Sequence, residues 1–103
     1  MRIRVDKSVQ QFMRSLQKPT ISKVSRLIDL LRQFGEQLRM PYSKSLGHNL
    51  FELRIRGQQG IRILYIFYKQ EAVLLHGFVK KAQKTPLREI ETALTRMKEL
   101  TSV

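Results

Sequence analysis

The sequence predicts an α+β protein in which a mostly antiparallel sheet packs with an N-terminal helical hairpin and a C-terminal helix. Apolar residues recur at helical spacing near both ends of the chain, whereas the middle contains apolar runs of strand length separated by short turns. This segregation of helices from strands is typical of the α+β class, and the predicted order is β-α-α-β-β-β-α. A chain of 103 residues suits one domain, spanning residues 1–103.

The first predicted elements are a short strand over residues 2–5 and an amphipathic helix. Asp6 or Ser8 can cap this helix, because both side chains can accept a hydrogen bond from a backbone N–H of the first turn. We expect the helix to end at Lys18-Pro19, since the residue before a proline avoids the helical conformation. Its apolar stripe is Val9, Phe12, Met13 and Leu16.

A second helix follows after a short connection, which makes a helical hairpin. Thr20 or Ser22 can cap its start, and Gly35 is a suitable residue for its end. Its apolar stripe is Ile21, Val24, Leu27, Ile28, Leu30, Leu31 and Phe34. The next segment, "RMPYSKSLGHN", predicts a loop.

Three strands and a helix complete the chain. "LFELRIR" alternates and predicts a half-buried strand, and "GQQG" predicts a hairpin connection. "IRILYIFY" is apolar on both faces apart from Arg62, which predicts a central strand. "AVLLHGFVKK" forms the third strand. Thr85 then caps the last helix with Pro86 at its first position. Its predicted stripe is Leu87, Ile90, Ala93, Leu94 and Met97.

The charge of the chain points to a polyanionic partner. Twenty Lys and Arg residues stand against eight Asp and Glu, which gives a formal net charge of +12. Between Gln37 and Arg88 there are ten basic residues and two acidic ones, Glu52 and Glu71. Nucleic acid is the first expectation, an acidic protein the second and an anionic membrane surface the third.

Several function classes find no support in the sequence. The chain has no cysteine, and His48 and His76 stand alone, so we expect no metal site. No Gly-rich phosphate loop or HExxH motif is present, and we expect no cofactor. Neither a signal peptide nor an apolar run of membrane-spanning length is recognisable, so the expected location is cytoplasmic, with no membrane partner.

Basic residues on the predicted strands are the candidate functional groups. Arg54 and Arg56 lie on the polar face of one strand, Arg62 lies in the central strand, and lysines follow the last strand. For Arg54 and Arg56, and for the lysines, ordinary surface charge is the default interpretation. Arg62 is the exception, because an arginine in an apolar strand must pair with a carboxylate, such as Glu52, or reach a wet cleft.

The hairpin connection decides whether these arginines converge. With a strict four-residue "GQQG" loop, Ile55 opposes Arg62, and Arg62 then lies on the opposite face from Arg54. A β-bulge or a different loop length reverses this arrangement. The sequence leaves both possibilities open.

Three stretches in order, "LRMPYSKSLGHNLFELRI", "GIRILYIFY" and "LLHGFVKKAQKTPLREIETALTRM", resemble the RelE/HigB superfamily of toxins from type II toxin–antitoxin systems. The similarity is closest to the phage-derived HigB-like branch and covers nearly the whole chain. The resemblance implies a ribosome-dependent mRNA endonuclease, or mRNA interferase, that cuts mRNA without a metal by attack of a ribose 2′-OH on the adjacent phosphate. It also implies a cognate antitoxin with a HigA-like helix-turn-helix domain, and a toxin–antitoxin hetero-oligomer.

The resemblance implies roles for individual residues. Arg62 matches the arginine that stabilises the phosphate, Arg54 matches the basic residue of the preceding strand, and Lys81, or alternatively Lys80, matches the basic residue that ends the last strand. The expected further contacts to nucleic acid are Lys44, Arg56, Lys80 and Lys84. Glu52 is the candidate general base.

The chain departs from its relatives near the C-terminus. Several relatives use a tyrosine or histidine there, whereas this chain reads "KTPLREIETAL". His76 is therefore a second candidate base, and water or a lysine can also transfer the proton. The departure leaves two alternatives open: a ParE-like toxin directed at DNA gyrase, and a non-catalytic nucleic-acid-binding member of the same fold.

Overall fold

A computed structural model describes residues 1–102, and the α+β class predicted from the sequence is confirmed. A short 3₁₀ helix, Gly35–Gln37, follows the second α-helix. The elements in chain order are β1 (Arg2–Val5), α1 (Lys7–Arg14), α2 (Lys18–Phe34), β2 (Ser43–Gly47), β3 (Leu50–Ile55), β4 (Ile61–Tyr68), β5 (Glu71–Val79) and α3 (Leu87–Thr101).

The five strands form one sheet in the order β1-β5-β4-β3-β2. β1 pairs with β5 in parallel, and the other neighbours pair antiparallel, so the prediction of a mostly antiparallel sheet is confirmed. β4 lies at the centre, as its two apolar faces indicate.

The predicted order β-α-α-β-β-β-α is wrong by one strand, because β2 forms where a loop was expected. β2 has the sequence SKSLG, which lacks the apolar alternation of a half-buried strand. It lies at the edge of the sheet and pairs antiparallel with β3, with Ser43 opposite Leu53 and Lys44 opposite Glu52. An edge strand takes its hydrogen bonds from one neighbour and can keep polar side chains in water, so periodicity does not reveal it.

The helical hairpin begins as predicted, but its connection lies earlier in the chain. Asp6 caps α1, where its side chain accepts a hydrogen bond from the backbone N–H of Ser8 at 3.0 Å. The prediction that the first helix extends to Lys18-Pro19 is wrong, because both residues belong to the first turn of α2. Proline is tolerated there, since the N–H groups of a first turn have no partner within the helix. Gly35 ends α2 as predicted, with a φ of +55°.

The predicted cap of α3 is also wrong by one residue. Pro86 is the N-cap rather than the first helical residue, and α3 has no side-chain cap. The hydroxyl of Thr85 instead donates a hydrogen bond to the Glu52 carboxylate on β3. Leu87 departs from the predicted stripe and is 67 % exposed, whereas Ala93 is fully buried.

The sheet has a separate apolar core on each face. α1 and α2 cover one face, where Leu53, Ile63 and Leu74 are buried, and α3 covers the other, where Leu64 and Leu75 are buried. β3 was expected to be half-buried, but Glu52 on its second face is only 2 % exposed. That prediction is wrong because α3 and the segment that precedes it close over the second face.

Candidate functional site

The connection between β3 and β4 places two of the candidate arginines, Arg54 and Arg62, on one face of the sheet. Ile55 pairs with Ile61, so the connection comprises the five residues 56–60 rather than the four of "GQQG". With this odd length, Arg54 lies directly opposite Arg62 in the register. The side chains of two residues that lie directly opposite each other on adjacent strands project from the same face of the sheet. The structure therefore brings Arg54 and Arg62 together.

Glu52 lies between these two arginines and compensates their charge. Its Oε1 atom is 3.5 Å from Arg54 Nε and 3.7 Å from Arg62 Nε. Its Oε2 atom accepts the hydrogen bond from the Thr85 hydroxyl. Like charges directly opposite each other in a sheet are destabilising. A buried carboxylate that both guanidinium groups share offsets this repulsion.

Arg62 is buried and still charged. Burial lowers the pKa of its guanidinium, the charge of Arg54 lowers that pKa further, and the charge of Glu52 opposes the shift. An arginine remains protonated in proteins despite such a shift. One of its N–H groups donates to the carbonyl of Ile61 at 3.1 Å, which leaves other donors of the planar group available.

Two concave pockets adjoin Arg62. The first, which we call the arginine pocket, opens beside the β3–β4 connection. Its lining is Arg54, Arg56, Gly57, Gly60, Arg62, Lys80 and Gln83. Four of these residues are cationic and none is acidic, so the pocket suits an anion.

The second pocket, which we call the lysine pocket, lies where the chain leaves β5 and enters α3. The charged residues of its lining are Arg62, Lys80, Lys81, Lys84, Arg88 and Glu89. Arg62 and Lys80 line both pockets. A backbone hydrogen bond of 2.8 Å from the Lys80 N–H to the Gly60 carbonyl holds the end of β5 against the hairpin connection. The two pockets therefore adjoin along one continuous basic surface.

Most of the residues singled out in the sequence meet at this surface. Arg54, Arg56 and Lys80 line the arginine pocket, and Lys81 and Lys84 line the lysine pocket. Lys44 lies apart from them. It is on edge strand β2 and lines a separate depression with Glu36 and Arg39.

Glu89 and Arg88 were missed by reasoning from the sequence. Both lie in the first turn of α3 and line the lysine pocket. A signal was present in the sequence, because the connection from the last strand to the last helix is short. A short connection places the first turn of a helix beside the end of the preceding strand.

His76 faces α3 rather than either pocket. Its Nε2 atom is 2.8 Å from Glu89 Oε1, and its Nδ1 atom is 3.0 Å from a guanidinium nitrogen of Arg96. The same Arg96 nitrogen donates to the carbonyl of Leu75 at 2.8 Å. Its hydrogen-bond partner Glu89 nevertheless lines the lysine pocket.

Residues 1–102 contain no group of three or more histidine, aspartate or glutamate side chains that could hold a metal ion. Across the same residues, none of the helices combines the length and the apolar character that crossing a membrane requires.

A comparison with family models finds a match over most of the chain. The model described as "Phage derived protein Gp49-like (DUF891)" matches residues 11–98. The matched range includes β2 to β5 and every residue of the two basic pockets. No curated protein matches the chain.

Proposed function

Because the chain belongs to the phage-derived Gp49-like family, we propose that it is the toxin of a type II toxin–antitoxin system and an mRNA interferase of the RelE/HigB kind. It cleaves mRNA on the ribosome without a metal or another cofactor. The observation that carries this proposal is the pair of adjoining basic pockets that share Arg62 and Lys80.

Adjoining basic pockets suit consecutive phosphates of a nucleic-acid strand. A single-stranded backbone presents one negative charge per nucleotide, and each pocket offers several cations to one such charge. The arginines supply planar, bidentate donors, and the lysines supply compact point charges. The net charge of +12 attracts the nucleic-acid strand over a longer range and so speeds its association.

The reaction that fits this surface is attack of a ribose 2′-OH on its own 3′-phosphate. Arg62, which lines both pockets, stabilises the negative charge that develops on the phosphate oxygens, while Arg54 binds the neighbouring phosphate and Glu52 holds both guanidinium groups in place. Lys81, an exposed residue of the lysine pocket, protonates the departing 5′ oxygen. RNA is the substrate because DNA lacks the 2′-OH.

Substitution of Arg62 tests the proposal. Induced expression of the wild type should arrest growth and leave mRNA fragments that end in a 2′,3′-cyclic phosphate. Arg62→Ala should slow cleavage of ribosome-bound mRNA by about 10²- to 10³-fold, the usual loss when one stabilising donor is removed. Arg14→Ala is the matched control, because Arg14 is exposed at the end of α1, which packs on the opposite face of the sheet.

The same experiment distinguishes the alternatives. Growth arrest with inhibited gyrase supercoiling and intact mRNA would identify a ParE-like toxin instead. Salt-dependent binding of nucleic acid without any cleaved product would identify a non-catalytic binding module. Equal cleavage by the wild type and Arg62→Ala would contradict the role given to Arg62.

The proposed partner is a cognate antitoxin, and one groove suits it. This groove, which we call the α2 groove, lies between α2 and β3. Its lining is Lys23, Arg26, Leu27, Leu30, Pro41, Tyr42, Arg54, Ile55 and Arg56. The floor is apolar and the charged residues are all basic, so an amphipathic segment with apolar and acidic side chains is complementary to it. Such a segment would neutralise Arg54 and Arg56, which also line the arginine pocket.

A further inference from the structure

The proposed reaction needs a group that removes the proton from the attacking 2′-OH. Only a carboxylate, a neutral histidine or a neutral lysine can do this readily near neutral pH. Among the residues that line the two basic pockets, Glu89 is the one carboxylate, and it belongs to the lysine pocket alone. Its side chain is 17 % exposed, so it is partly shielded and still open to the pocket.

Glu52 is less suited to this step than Glu89. Its side chain is 3 % exposed, and its two oxygens are occupied by Arg54, Arg62 and the Thr85 hydroxyl. Glu52 is therefore suited to hold the two arginines in place, and proton transfer requires another residue.

The hydrogen bonds of His76 define how Glu89 is held. An arginine nitrogen can only donate, so the bond from Arg96 requires that His76 Nδ1 accepts. In the neutral ring the proton then lies on Nε2, which donates to Glu89 Oε1 at 2.8 Å. This bond orients the carboxylate, and Oε2 remains for another partner. The nearest cation to Oε2 is the Nε atom of Arg88 at 3.8 Å, and the side chain of Arg88 is 75 % exposed.

A bulge in β5 places His76 under the first turn of α3. In the register with β4, Leu64 pairs with His76, but the next residue, Tyr65, pairs with Leu74. Leu75 is therefore an extra residue, and a bulge of this kind changes the face to which the flanking side chains point. This bulge changes the direction of the side chains next to the lysine pocket. Bulges are common beside active sites, where they orient side chains in this way.

We propose that Glu89 accepts the proton of the attacking 2′-OH, that the scissile phosphate lies in the lysine pocket, and that His76 is the positioning residue for Glu89. This inference rests on the proposed RNase function. The arginine pocket, which has cations and no carboxylate, then holds a neighbouring phosphate that does not react.

The 2′ oxygen transfers its proton to Oε2 of Glu89 and forms a bond to phosphorus with its electron pair. The bond between phosphorus and the 5′ oxygen breaks, and the leaving oxygen takes its electron pair and a proton from the ammonium of Lys81. The products are a 2′,3′-cyclic phosphate and a 5′-hydroxyl. Lys81 regains a proton from water, and Glu89 releases its proton to water.

The test compares Glu89→Gln with Glu91→Gln, which removes an exposed carboxylate two residues further along α3. The measurements are single-turnover cleavage of ribosome-bound mRNA, binding to the ribosome and thermal unfolding. We expect Glu89→Gln to slow cleavage by about 10²- to 10⁴-fold, the usual contribution of a general base. Ribosome binding and the unfolding temperature should stay close to the wild type. Glu91→Gln should cleave normally.

Three results would overturn the assignment. Cleavage by Glu89→Gln within about threefold of the wild type would contradict it and leave the RNase function intact. A parallel loss of ribosome binding or of folding would assign Glu89 a structural role. Absence of cleavage by the wild type would remove the proposed function and the assignment together.

A second comparison tests the role of His76. His76→Ala should slow cleavage less than Glu89→Gln does, and the double variant should be no slower than Glu89→Gln alone, because His76 acts through Glu89. Losses that multiply in the double variant would show that His76 does not act through Glu89.

Discussion

At the scale of single residues, the defining feature is the buried Glu52 between two arginines. Arg54 and Arg62 face each other across neighbouring strands, and the carboxylate that they share offsets the repulsion between their charges. Removal of one member of a buried charge network leaves the other charges uncompensated, which is more damaging than the loss of a surface ion pair. The same carboxylate thus serves both the stability of the sheet and the geometry of the arginines.

Glu52→Gln should destabilise the fold by about 3–5 kcal/mol, because it leaves the buried Arg62 and the partly buried Arg54 without a counter-charge. Urea denaturation of the purified protein measures this change, with Glu91→Gln as the control on an exposed carboxylate. A loss below about 1 kcal/mol would mean that solvent already screens the two arginines.

At the scale of the elements, the contact between α1 and β5 depends on one glycine. A Cβ atom placed on Gly77 would lie 2.5 Å from a ring carbon of Phe12, a distance that real Cβ atoms essentially never show. The absence of a side chain at Gly77 therefore lets the aromatic ring of α1 lie directly on the strand. This packing holds α1 against the face of the sheet that lies opposite the basic pockets.

Gly77→Ala should destabilise the fold by about 1–3 kcal/mol, the usual cost of overpacking a filled core. Thermal or chemical denaturation measures the loss. A double variant with Phe12→Leu should recover part of it, because the smaller side chain makes room for the added methyl group. Equal stability of Gly77→Ala and the wild type would show that Phe12 moves aside at little cost.

At the scale of the whole molecule, three concave features follow one another around the β3–β4 hairpin. The α2 groove shares Arg54 and Arg56 with the arginine pocket, which in turn shares Arg62 and Lys80 with the lysine pocket. An acidic segment in the groove would therefore compete electrostatically with RNA in the neighbouring pocket. Inhibition by an antitoxin then needs no coverage of the lysine pocket itself.

Tyr42→Ala should weaken binding of the antitoxin by at least about tenfold, because exposed aromatic residues in a groove are frequent energetic anchors of interfaces. Tyr42 is 44 % exposed and lines the α2 groove. The measurement is the affinity for the co-expressed product of the adjacent gene. Phe34→Ala is the matched control, since Phe34 is 46 % exposed and lies outside the groove lining. Equal effects of the two variants, or no complex with the wild type, would contradict this docking site.

Much of the architecture was accessible from local patterns. The caps and stops at Asp6 and Gly35 follow from the chemistry of short polar side chains and from the positive φ that glycine tolerates. The central position of β4 follows from a strand that is apolar on both faces. The basic character of the middle of the chain follows from composition alone. Each of these signals is contained within a few consecutive residues or in a simple count.

Other features required partners that are remote in the sequence. Edge strand β2 exists because β3 offers it a row of hydrogen bonds, and the sequence SKSLG carries no periodic signal of its own. Thr85 does not cap α3, because its hydroxyl binds Glu52, which lies 33 residues earlier in the chain. Glu89 became a candidate only when the β5–α3 connection and the bulge at Leu75 placed it beside Arg62 and His76.

The sequence by itself determined the α+β class and the surplus of positive charge. It also identified Arg62 as a charged residue in an apolar strand, which needs a carboxylate partner or access to a cleft. Only the tertiary structure decided that Arg54 shares the face of Arg62. The outcome depends on the length of the β3–β4 connection, which comprises residues 56–60 and is one residue longer than "GQQG". Because side chains alternate along a strand with a period of two, a single residue in a hairpin loop determines whether two charges meet on one face or lie on opposite faces.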